Sequence, residues 1–417
     1  MKTSFINQRI EAIWRDESAK IVAVLTLMVR DIGVAEDLAQ DTLIVALERW
    51  PVCGIPDKPG AWLMTVAKRK AIDMTRRKKR LNQRYEQMAY EGKTHNELDW
   101  TIDRNEEIQD NLLRLIFMTC HPVLSKNARV ALTLRVVGGL TTEEIANAFL
   151  VSESTIAQRI VRAKRTLATS NVPFEVPQKT AYTERLSSVL EVIYLMFNEG
   201  YAASAGDHLI RINLCHEALR MGRVLVDLLH TEPESYGLLA LMELQASRFN
   251  ARTNVEGEMI LLIDQNRSLW DQEHIGRGMA ALRKAEELGG AQGMYALQAA
   301  IAACHARAIL PDETNWNRIS ELYDALAEVA PSPVVELNRA VARSMADGPE
   351  IGLKMVDSLL SEPALKHYHL LPSVRGSLLL KLGRKRHAFE EFQRAASLTQ
   401  NVQEKKFLLK QAKDCLE

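Results

Sequence analysis

The side chains of this sequence best suited to chemistry are the polar and basic residues between Ser154 and Arg165. Gln158 and Arg162 can each make paired hydrogen bonds to the edge of a base, because amide and guanidinium groups carry two polar atoms at a matching spacing. The lysine and arginines beside them can neutralise backbone phosphates. This set predicts a helix that reads duplex DNA, provided that its other face is held by a scaffold.

The segment "TTEEIANAFLVSESTIAQRIVRAKRTL" (141–167) supplies that scaffold. Thr141 or Thr142 is a suitable N-cap, and two glutamates follow in the first turn. In the second helix the apolar residues recur at spacings of 4, 3 and 4 and form one stripe: Ile156, Ile160, Ala163 and Leu167. The pattern predicts a helix-turn-helix with a buried apolar face and a free basic face. An ordinary amphipathic hairpin with a solvated basic face is the alternative, and Leu150 stands at the bend where glycine is usual.

The helix expected over "AWLMTVAKRKAIDMTRRKKR" (61–80) carries eight bases and one acid between residues 68 and 80. Trp62 lies on the same side as Arg69 and Arg76. A charged surface helix explains the arginines but not the tryptophan. An aromatic ring among guanidinium groups is typical of single-stranded DNA binding, since phosphates meet cations while unstacked bases meet the ring. The loop 53–60 before it could hold a base turned out of the stack.

The upstream helix, 33–50, is predicted to bury Leu43, Ala46, Leu47 and Trp50, and Pro51 is expected to end it. Asp37, Gln40 and Asp41 form a polar, acidic patch one turn long. Solvated charge explains this patch. The functional alternative is a docking patch for a basic helix of another protein.

Composition and charge place these segments in a larger all-α chain. Apolar residues make up 47% of the 417 residues, and helical periodicity recurs without sustained alternation. The net charge of zero divides unequally: residues 1–170 hold 26 bases and 21 acids, whereas the remainder holds 27 bases and 32 acids. A basic half joined to an acidic half favours a nucleic-acid partner. No apolar run is long enough for a membrane span, and the N-terminus lacks a signal-peptide core.

Five single cysteines without CxxC spacing fit a reducing compartment and do not favour a zinc site or disulfides. Two composition changes suggest boundaries: Glu86 to Asp110 carries eight acids and two bases, and Pro173 and Pro177 disfavour helix near residue 175. The predicted organisation is a helical module at 1–85, an acidic linker at 86–109, a helix-turn-helix module at 110–169, a linker at 170–182 and a helical region at 183–417.

The order of these parts resembles an extracytoplasmic-function sigma factor of bacterial RNA polymerase. The resemblance rests on "AEDLAQDTLIVALERW", then "GAWLMTVAKRKAIDMTRRKKR", the acidic linker, and "LTTEEIANAFLVSESTIAQRIVRAK". "LLRLIFMTCHPVLSKNARVALTLRVVGGLTTEEIANAFLVSE" followed by "VLEVIYLMFNEGYAAS" is similar to one subgroup with a long C-terminal helical-repeat extension. Leucine at the bend is usual in that subgroup.

The resemblance implies a role for each set of residues. Asp37, Gln40 and Asp41 match the segment that binds the β′ clamp helices of the polymerase. Trp62 and Arg69, with the 53–60 loop, match the region that recognises and melts the −10 element, and backbone phosphate would be held by Arg76, Arg77, Lys78, Lys79 and Arg80. The −35 element would be read by Ala157, Gln158, Val161 and Arg162. Arg165 lies on the same face and belongs to the −35-binding set, and Arg159 and Lys164 are better placed for phosphate. The implied partners are core polymerase (β′ clamp helices and β flap) and promoter DNA, with no cofactor, metal or enzymatic activity and a cytoplasmic location.

The C-terminal segment "LLPSVRGSLLLKLGRKRHAFEEFQRAASLTQ" (370–400) resembles a tetratricopeptide repeat. Its packing residues are Gly376, Gly383, Ala388, Phe392 and Ala395, whereas Arg375 stands where leucine is usual. Residues 334–360 form a degenerate copy, and stacked copies predict an α-solenoid with a concave face. "FNEGYAAS" (197–204) and "LIDQNRSLWDQ" (262–272) interrupt the apolar helices. They are either packed turns or a regulatory surface for a protein or small ligand.

Two other functions fit parts of this pattern. The first is a helix-turn-helix regulator that binds duplex DNA by itself, with the repeats as its sensor; Trp62 on the basic face and the acidic linker argue against it. The second is a repeat scaffold that only assembles proteins, in which the basic segments are solvated surface. The sequence does not determine whether the extension inhibits or assists the N-terminal half.

Overall fold

The computed structural model describes residues 2–86, 105–149, 151–203, 205–206, 209–254 and 257–416. The bend residue Leu150 and most of the predicted acidic linker, 87–104, lie outside these ranges. At residues 78–80 the structure describes a helical backbone but not the side chains of Lys78, Lys79 and Arg80. The DNA-binding roles of those three side chains stay predictions.

The all-α fold class is confirmed, since eighteen α-helices account for most of the described residues. The helices are α1 (Lys2–Val29), α2 (Ile32–Cys53), α3 (Pro59–Glu86), α4 (Asn105–Thr119), α5 (Lys126–Val136), α6 (Thr142–Phe149), α7 (Glu153–Thr169), α8 (Lys179–Tyr201), α9 (Ile212–Leu228), α10 (Pro233–Ala246), α11 (Gln272–Glu287), α12 (Met294–Arg307), α13 (Trp316–Val329), α14 (Pro333–Ala346), α15 (Pro349–Ser358), α16 (Leu370–Lys381), α17 (Lys385–Leu398) and α18 (Val402–Asp414). Two short strands, β1 (Ala205–Gly206) and β2 (Gln400–Asn401), pair in parallel. Within the described ranges no helix is long and apolar enough to cross a membrane.

The chain forms two compact units, Met1–Val192 and Ile193–Glu417. In the first unit α1 packs against α2, α3 and α4, and α5 packs against α7. The predicted modules 1–85 and 110–169 therefore share one compact unit, and the boundary between the units falls within α8.

Two expectations for α2 are wrong. The helix runs through Pro51 to Cys53, because a proline in the final turn removes only one backbone hydrogen bond. It ends at Gly54, whose φ of 84° is a conformation that favours glycine. Leu47 is 40% exposed instead of buried. Buried Ala46 and Trp50 lie four residues apart on one face, and Leu47 is rotated about 100° from Ala46.

The first part of α8 is attached to α4 and α5 by several specific contacts. The ring of Tyr182 lies 5.9 Å from that of Phe117, and Arg185 donates to the Phe117 carbonyl at 2.6 Å. Arg129, with a side chain only 9% exposed, lies 3.2 Å from Glu191 and also donates to Ser188. These contacts make the start of α8 part of the first unit.

The second unit consists of consecutive helix pairs. Buried α10 packs against α9, α11 and α12, and later pairs include α14 with α15 and α16 with α17. Gly383 turns the chain between α16 and α17 with φ of 73°, and a Cβ at Gly376 would lie 3.1 Å from the Phe392 ring. Arg375 pairs with Asp357 at 2.8 Å and Glu391 at 2.9 Å. Helix α16 therefore packs against α17 through a small residue, and Arg375 joins it to α15 and α17 by charged pairs.

Candidate nucleic-acid interface

The helix-turn-helix is held by local capping on each helix. Thr141 and Glu144 cap each other, because the Glu144 amide donates to the Thr141 hydroxyl at 3.1 Å and the Thr141 amide donates to the Glu144 carboxylate at 2.7 Å. Ser152 caps α7 by accepting from the Thr155 amide. All four members of the predicted apolar stripe are buried, which confirms the assignment of the inner face: Ile156, Ile160, Ala163 and Leu167.

The opposite face of α7 is open to solvent. The exposed members of the predicted reading set are Ala157, Gln158, Val161, Arg162 and Arg165, and the Val161 side chain is 60% exposed. Arg159 is half-buried. A polar helical face with free amide and guanidinium groups can enter a major groove and contact base edges there. Base contact by these residues stays a prediction.

Lys164 lies at the edge of this face and has an intramolecular partner. Its ammonium group is 2.6 Å from the carboxylate of Glu36 on α2. The same carboxylate lies 2.6 Å from Arg135 of α5, and the side chain of Glu36 is only 10% exposed. In this arrangement Lys164 is engaged within the protein, so contact with phosphate would first require its release from Glu36.

A second contact joins the same two parts of the unit. Arg15 of α1 lies 3.1 Å from Glu144 of α6, and both side chains are more than 40% exposed. Exposed pairs of this kind contribute about 0–1 kcal/mol. The buried carboxylate of Glu36 is therefore the stronger polar attachment of α5 and α7 to α2.

We expect Glu36→Gln to loosen this attachment, because it leaves Arg135 and Lys164 without an anionic partner. Removing one partner of a partly buried pair costs about 1–3 kcal/mol, so the ratio of released to paired Lys164 should rise by about 5- to 150-fold. The measurement is the rate of Lys164 acetylation, followed by mass spectrometry. The matched control is Glu11→Gln, which removes a carboxylate that is 70% exposed and 3.8 Å from Arg15. Equal Lys164 rates in wild type, Glu11→Gln and Glu36→Gln would contradict the attachment.

The basic face of α3 is exposed at Thr65, Arg69, Arg76 and Arg77. Trp62 is half-buried, and its ring centroid lies 5.3 Å from that of Trp50, which is 2% exposed. One side of the Trp62 ring is thus fixed by packing, and the remainder reaches solvent beside the arginines. A ring held in this way can stack on a base without further ordering of the side chain.

The polar patch on α2 is exposed at Asp37, Gln40 and Asp41. Gln40 donates to the buried Glu36 at 3.2 Å, and Asp41 lies 3.6 Å from Lys70 of α3. Sequence reasoning missed two apolar residues beside the patch: Ile44 is 52% exposed and Leu47 is 40% exposed. Ile44 lies four residues after Gln40 and Leu47 three residues after Ile44, so helical spacing could have identified them. The combined acidic and apolar surface is suited to docking of another helix.

Two of the single cysteines, Cys120 and Cys215, are buried. Burial raises the pKa of the Cys120 thiol to about 11 and that of Cys215 to about 12. Among the described residues there is no group of three or more potential His, Cys, Asp or Glu ligands that could hold a metal ion.

Family models match three successive parts of the chain. Residues 13–81 match sigma-70 region 2, residues 114–167 match sigma-70 region 4, and residues 185–286 match a family of unknown function, DUF6596. The first two ranges contain the basic face of α3 and the helix-turn-helix. These matches identify sigma-70 regions 2 and 4 in the N-terminal part of the chain and support a sigma factor.

Similar proteins extend this result. An uncharacterized protein of Rhizobium meliloti is 42% identical over 388 residues, which is 91% of this chain and 89% of that protein. A probable ECF RNA polymerase sigma factor, SigI, of Mycobacterium tuberculosis is 29% identical over 170 residues, covering 40% of this chain and 57% of that protein. An ECF RNA polymerase sigma factor, SigK, of Mycobacterium ulcerans is 28% identical over 152 residues, covering 36% of this chain and 78% of that protein. The chain belongs to the family of the Rhizobium meliloti protein.

Proposed function

We propose that the chain is an extracytoplasmic-function sigma factor that directs core RNA polymerase to promoters, opens the −10 element and carries a fused regulatory domain of tetratricopeptide-like repeats. The observation that carries this proposal is the presence of three exposed surfaces on one unit. These are the polar face of α7, the basic face of α3 beside Trp62, and the acidic and apolar surface of α2. A protein that binds only duplex DNA has no use for the last two.

Each surface has one role in the proposal. Gln158 and Arg162 read the −35 element by paired hydrogen bonds, and Arg165 adds phosphate contact. Trp62, Arg69, Arg76 and Arg77 bind the separated strand at −10. The α2 surface docks on the β′ clamp helices of the polymerase. Catalysis belongs to the polymerase, and the chain acts in the cytoplasm without a cofactor.

Promoter binding requires the first unit to open. Elements about 25 base pairs apart are separated by about 85 Å of duplex at 3.4 Å per base pair. A globular unit of about 190 residues is on the order of 40 Å across. It cannot touch both elements at once while Glu36 pairs with Lys164. Docking on the polymerase would separate α7 from α2 and release Lys164 for phosphate contact.

The regulatory role of the second unit is supported by its separate compactness and its stacked helix pairs. Buried Ala388, Phe392 and Ala395 occupy the positions that the repeat uses for packing. The partner of this domain would be a protein or small ligand that binds between or beside the helix pairs.

The test is initiation by core polymerase on a library of promoter fragments, with and without the full chain. We expect run-off transcripts and permanganate-reactive thymines near −10 only when the chain is present, and co-elution of chain and core in gel filtration. A regulator that binds DNA alone would bind duplex DNA without co-elution and leave initiation independent of the chain. A scaffold would give neither DNA binding nor a new transcript.

A further inference from the structure

Three segments of the second unit, at residue 201, residues 248–252 and residues 267–270, meet in one cluster of arginines and aromatic rings. We name it the arginine–aromatic cluster: Tyr201, Arg248, Arg252, Arg267 and Trp270. The guanidinium carbon of Arg248 lies 5.8 Å from the Tyr201 ring centre and 5.6 Å from that of Trp270. Arg252 lies 3.7 Å from Tyr201, and Arg267 lies 5.2 Å from Trp270. Three cations thus surround two rings.

Within the described residues, the three arginines of this cluster contact backbone carbonyls and a hydroxyl but form no ion pair. Arg252 donates to the backbone carbonyl of Tyr201. Arg267 donates to the carbonyls of His305 at 2.9 Å and Ala308 at 2.8 Å. In the described part of the chain, no carboxylate lies within 4 Å of these arginines, and the Arg248 guanidinium has neither a hydrogen bond nor an ion pair. A largely enclosed cation without a counter-ion is costly.

Donors in and beside the cluster are also unsatisfied. Buried atoms that have no hydrogen-bond partner among the described residues include Nε of Arg248, Nε of Arg267 and Nε1 of Trp270, together with the Tyr201 hydroxyl. Trp270 is 3% exposed, so its indole N–H has no access to bulk water. Buried donors are normally paired, and several unpaired ones in one place call for an acceptor from outside the protein.

The neighbouring His305 responds to the same positive charge. Burial first, and then Arg248 and Arg267, lower the pKa of this histidine to about 4. His305 therefore remains neutral at pH 7 and does not add to the charge. Its Nδ1 is buried and has no hydrogen-bond partner in the part of the chain that the structure describes. Tyr201, Arg248 and Arg267 are half-buried, which leaves the cluster a route to solvent.

We infer that the arginine–aromatic cluster is a binding site for a small phosphate-type oxyanion, either inorganic phosphate or the phosphate group of a metabolite. A dianion with three or four acceptor oxygens matches an excess of cations and donors better than a carboxylate does. Arg248 is the principal contact, because its guanidinium, unlike those of Arg252 and Arg267, makes no polar contact with the described residues. The site lies within the second unit, so the inference is independent of the promoter-recognition role.

The test measures binding to the full chain in chloride buffer at matched ionic strength. Inorganic phosphate should bind one to one in isothermal titration calorimetry and, at a hundredfold excess over its Kd, raise Tm by roughly 5–10 °C. The Kd of glycerol 3-phosphate is compared with that of inorganic phosphate. The ligand with the lower Kd shows whether the site prefers a phosphate ester or the free ion. Acetate should have no effect. Absence of one-to-one phosphate binding, or equal binding of acetate, would overturn the inference.

Two variants distinguish this site from other cationic surface. Arg248→Gln removes the unpaired charge, so it should weaken phosphate binding at least about tenfold without lowering the phosphate-free Tm. Arg248→Lys keeps a charge without the bidentate fork and should also weaken binding, which provides a second measurement if Arg248→Gln does not fold. Arg386→Gln is the control, since that side chain is 91% exposed and 3.8 Å from Glu390. A phosphate effect that persists in both Arg248 variants would mean binding elsewhere and overturn the assignment.

Discussion

Replacing Gln158 and Arg162 together with alanine should abolish specific promoter recognition while leaving the fold intact. Both side chains are exposed on α7, and the face that holds the helix is formed by other residues. A bidentate contact to a base discriminates by about 1–3 kcal/mol. Two such contacts correspond to roughly 30-fold to 10⁴-fold in specific affinity, provided that they are additive. The measurement is run-off transcription from a promoter that the wild-type chain uses, with the Tm of each variant as a check of folding.

The salt dependence of binding separates base readers from phosphate contacts. Gln158→Ala should relax specificity at one position and leave the salt slope unchanged, because it neutralises no phosphate. Arg165→Ala should weaken binding to all sequences and reduce the slope by about one. Arg386→Ala, on the second unit, is the control and should change neither quantity. If the double variant still chose the same promoters, α7 would not be the reading element.

A fragment that ends after residue 175 should be much less stable than one that ends after residue 201. The shorter fragment lacks the start of α8 and with it the Tyr182 ring against Phe117. It also lacks the hydrogen bond from Arg185 and the pair of Glu191 with Arg129. Exposing a buried aromatic ring costs about 2–3 kcal/mol and each lost polar contact about 1 kcal/mol. The total is about 5 kcal/mol, a large part of the stability of an ordinary domain.

Urea unfolding followed by circular dichroism compares the two fragments directly. We expect a cooperative transition for residues 1–201 and a weak or absent one for residues 1–175. Equal midpoints would show that α8 contributes nothing to the first unit. The comparison also affects functional work. Loss of transcription after cutting at residue 175 would reflect damage to the first unit, so the second unit should be removed only after α8.

Local sequence patterns were sufficient for the elements that carry the candidate interface. The stripe of Ile156, Ile160, Ala163 and Leu167 is buried as its spacing predicts, because 3.6-residue periodicity places those residues on one face in any packed helix. The same periodicity failed at Leu47. Ala46 and Trp50 are buried as predicted, but the sequence alone cannot tell which side of them the partner helices cover, and Leu47 lies on the uncovered side.

Contacts between distant segments were beyond sequence reasoning. The sequence predicts that Lys164 contacts phosphate, but packing brings it to Glu36, a residue from a different helix that no sequence pattern singles out. The converging positions of Tyr201, Arg248 and Arg267 were equally hidden, although two of the three polar segments that form the cluster stood out in the sequence.

The sequence by itself determined that the chain is helical, that it contains sigma-70 regions 2 and 4, and which face of α7 is free. Only the tertiary structure decided that both regions share one compact unit, that Glu36 pairs with Lys164, and that three arginines gather around Tyr201 and Trp270. Helical periodicity is set by backbone geometry over a few residues, so it can be read locally. Pairing of charges depends on how whole helices pack, and one chain offers many alternative partners until that packing is fixed.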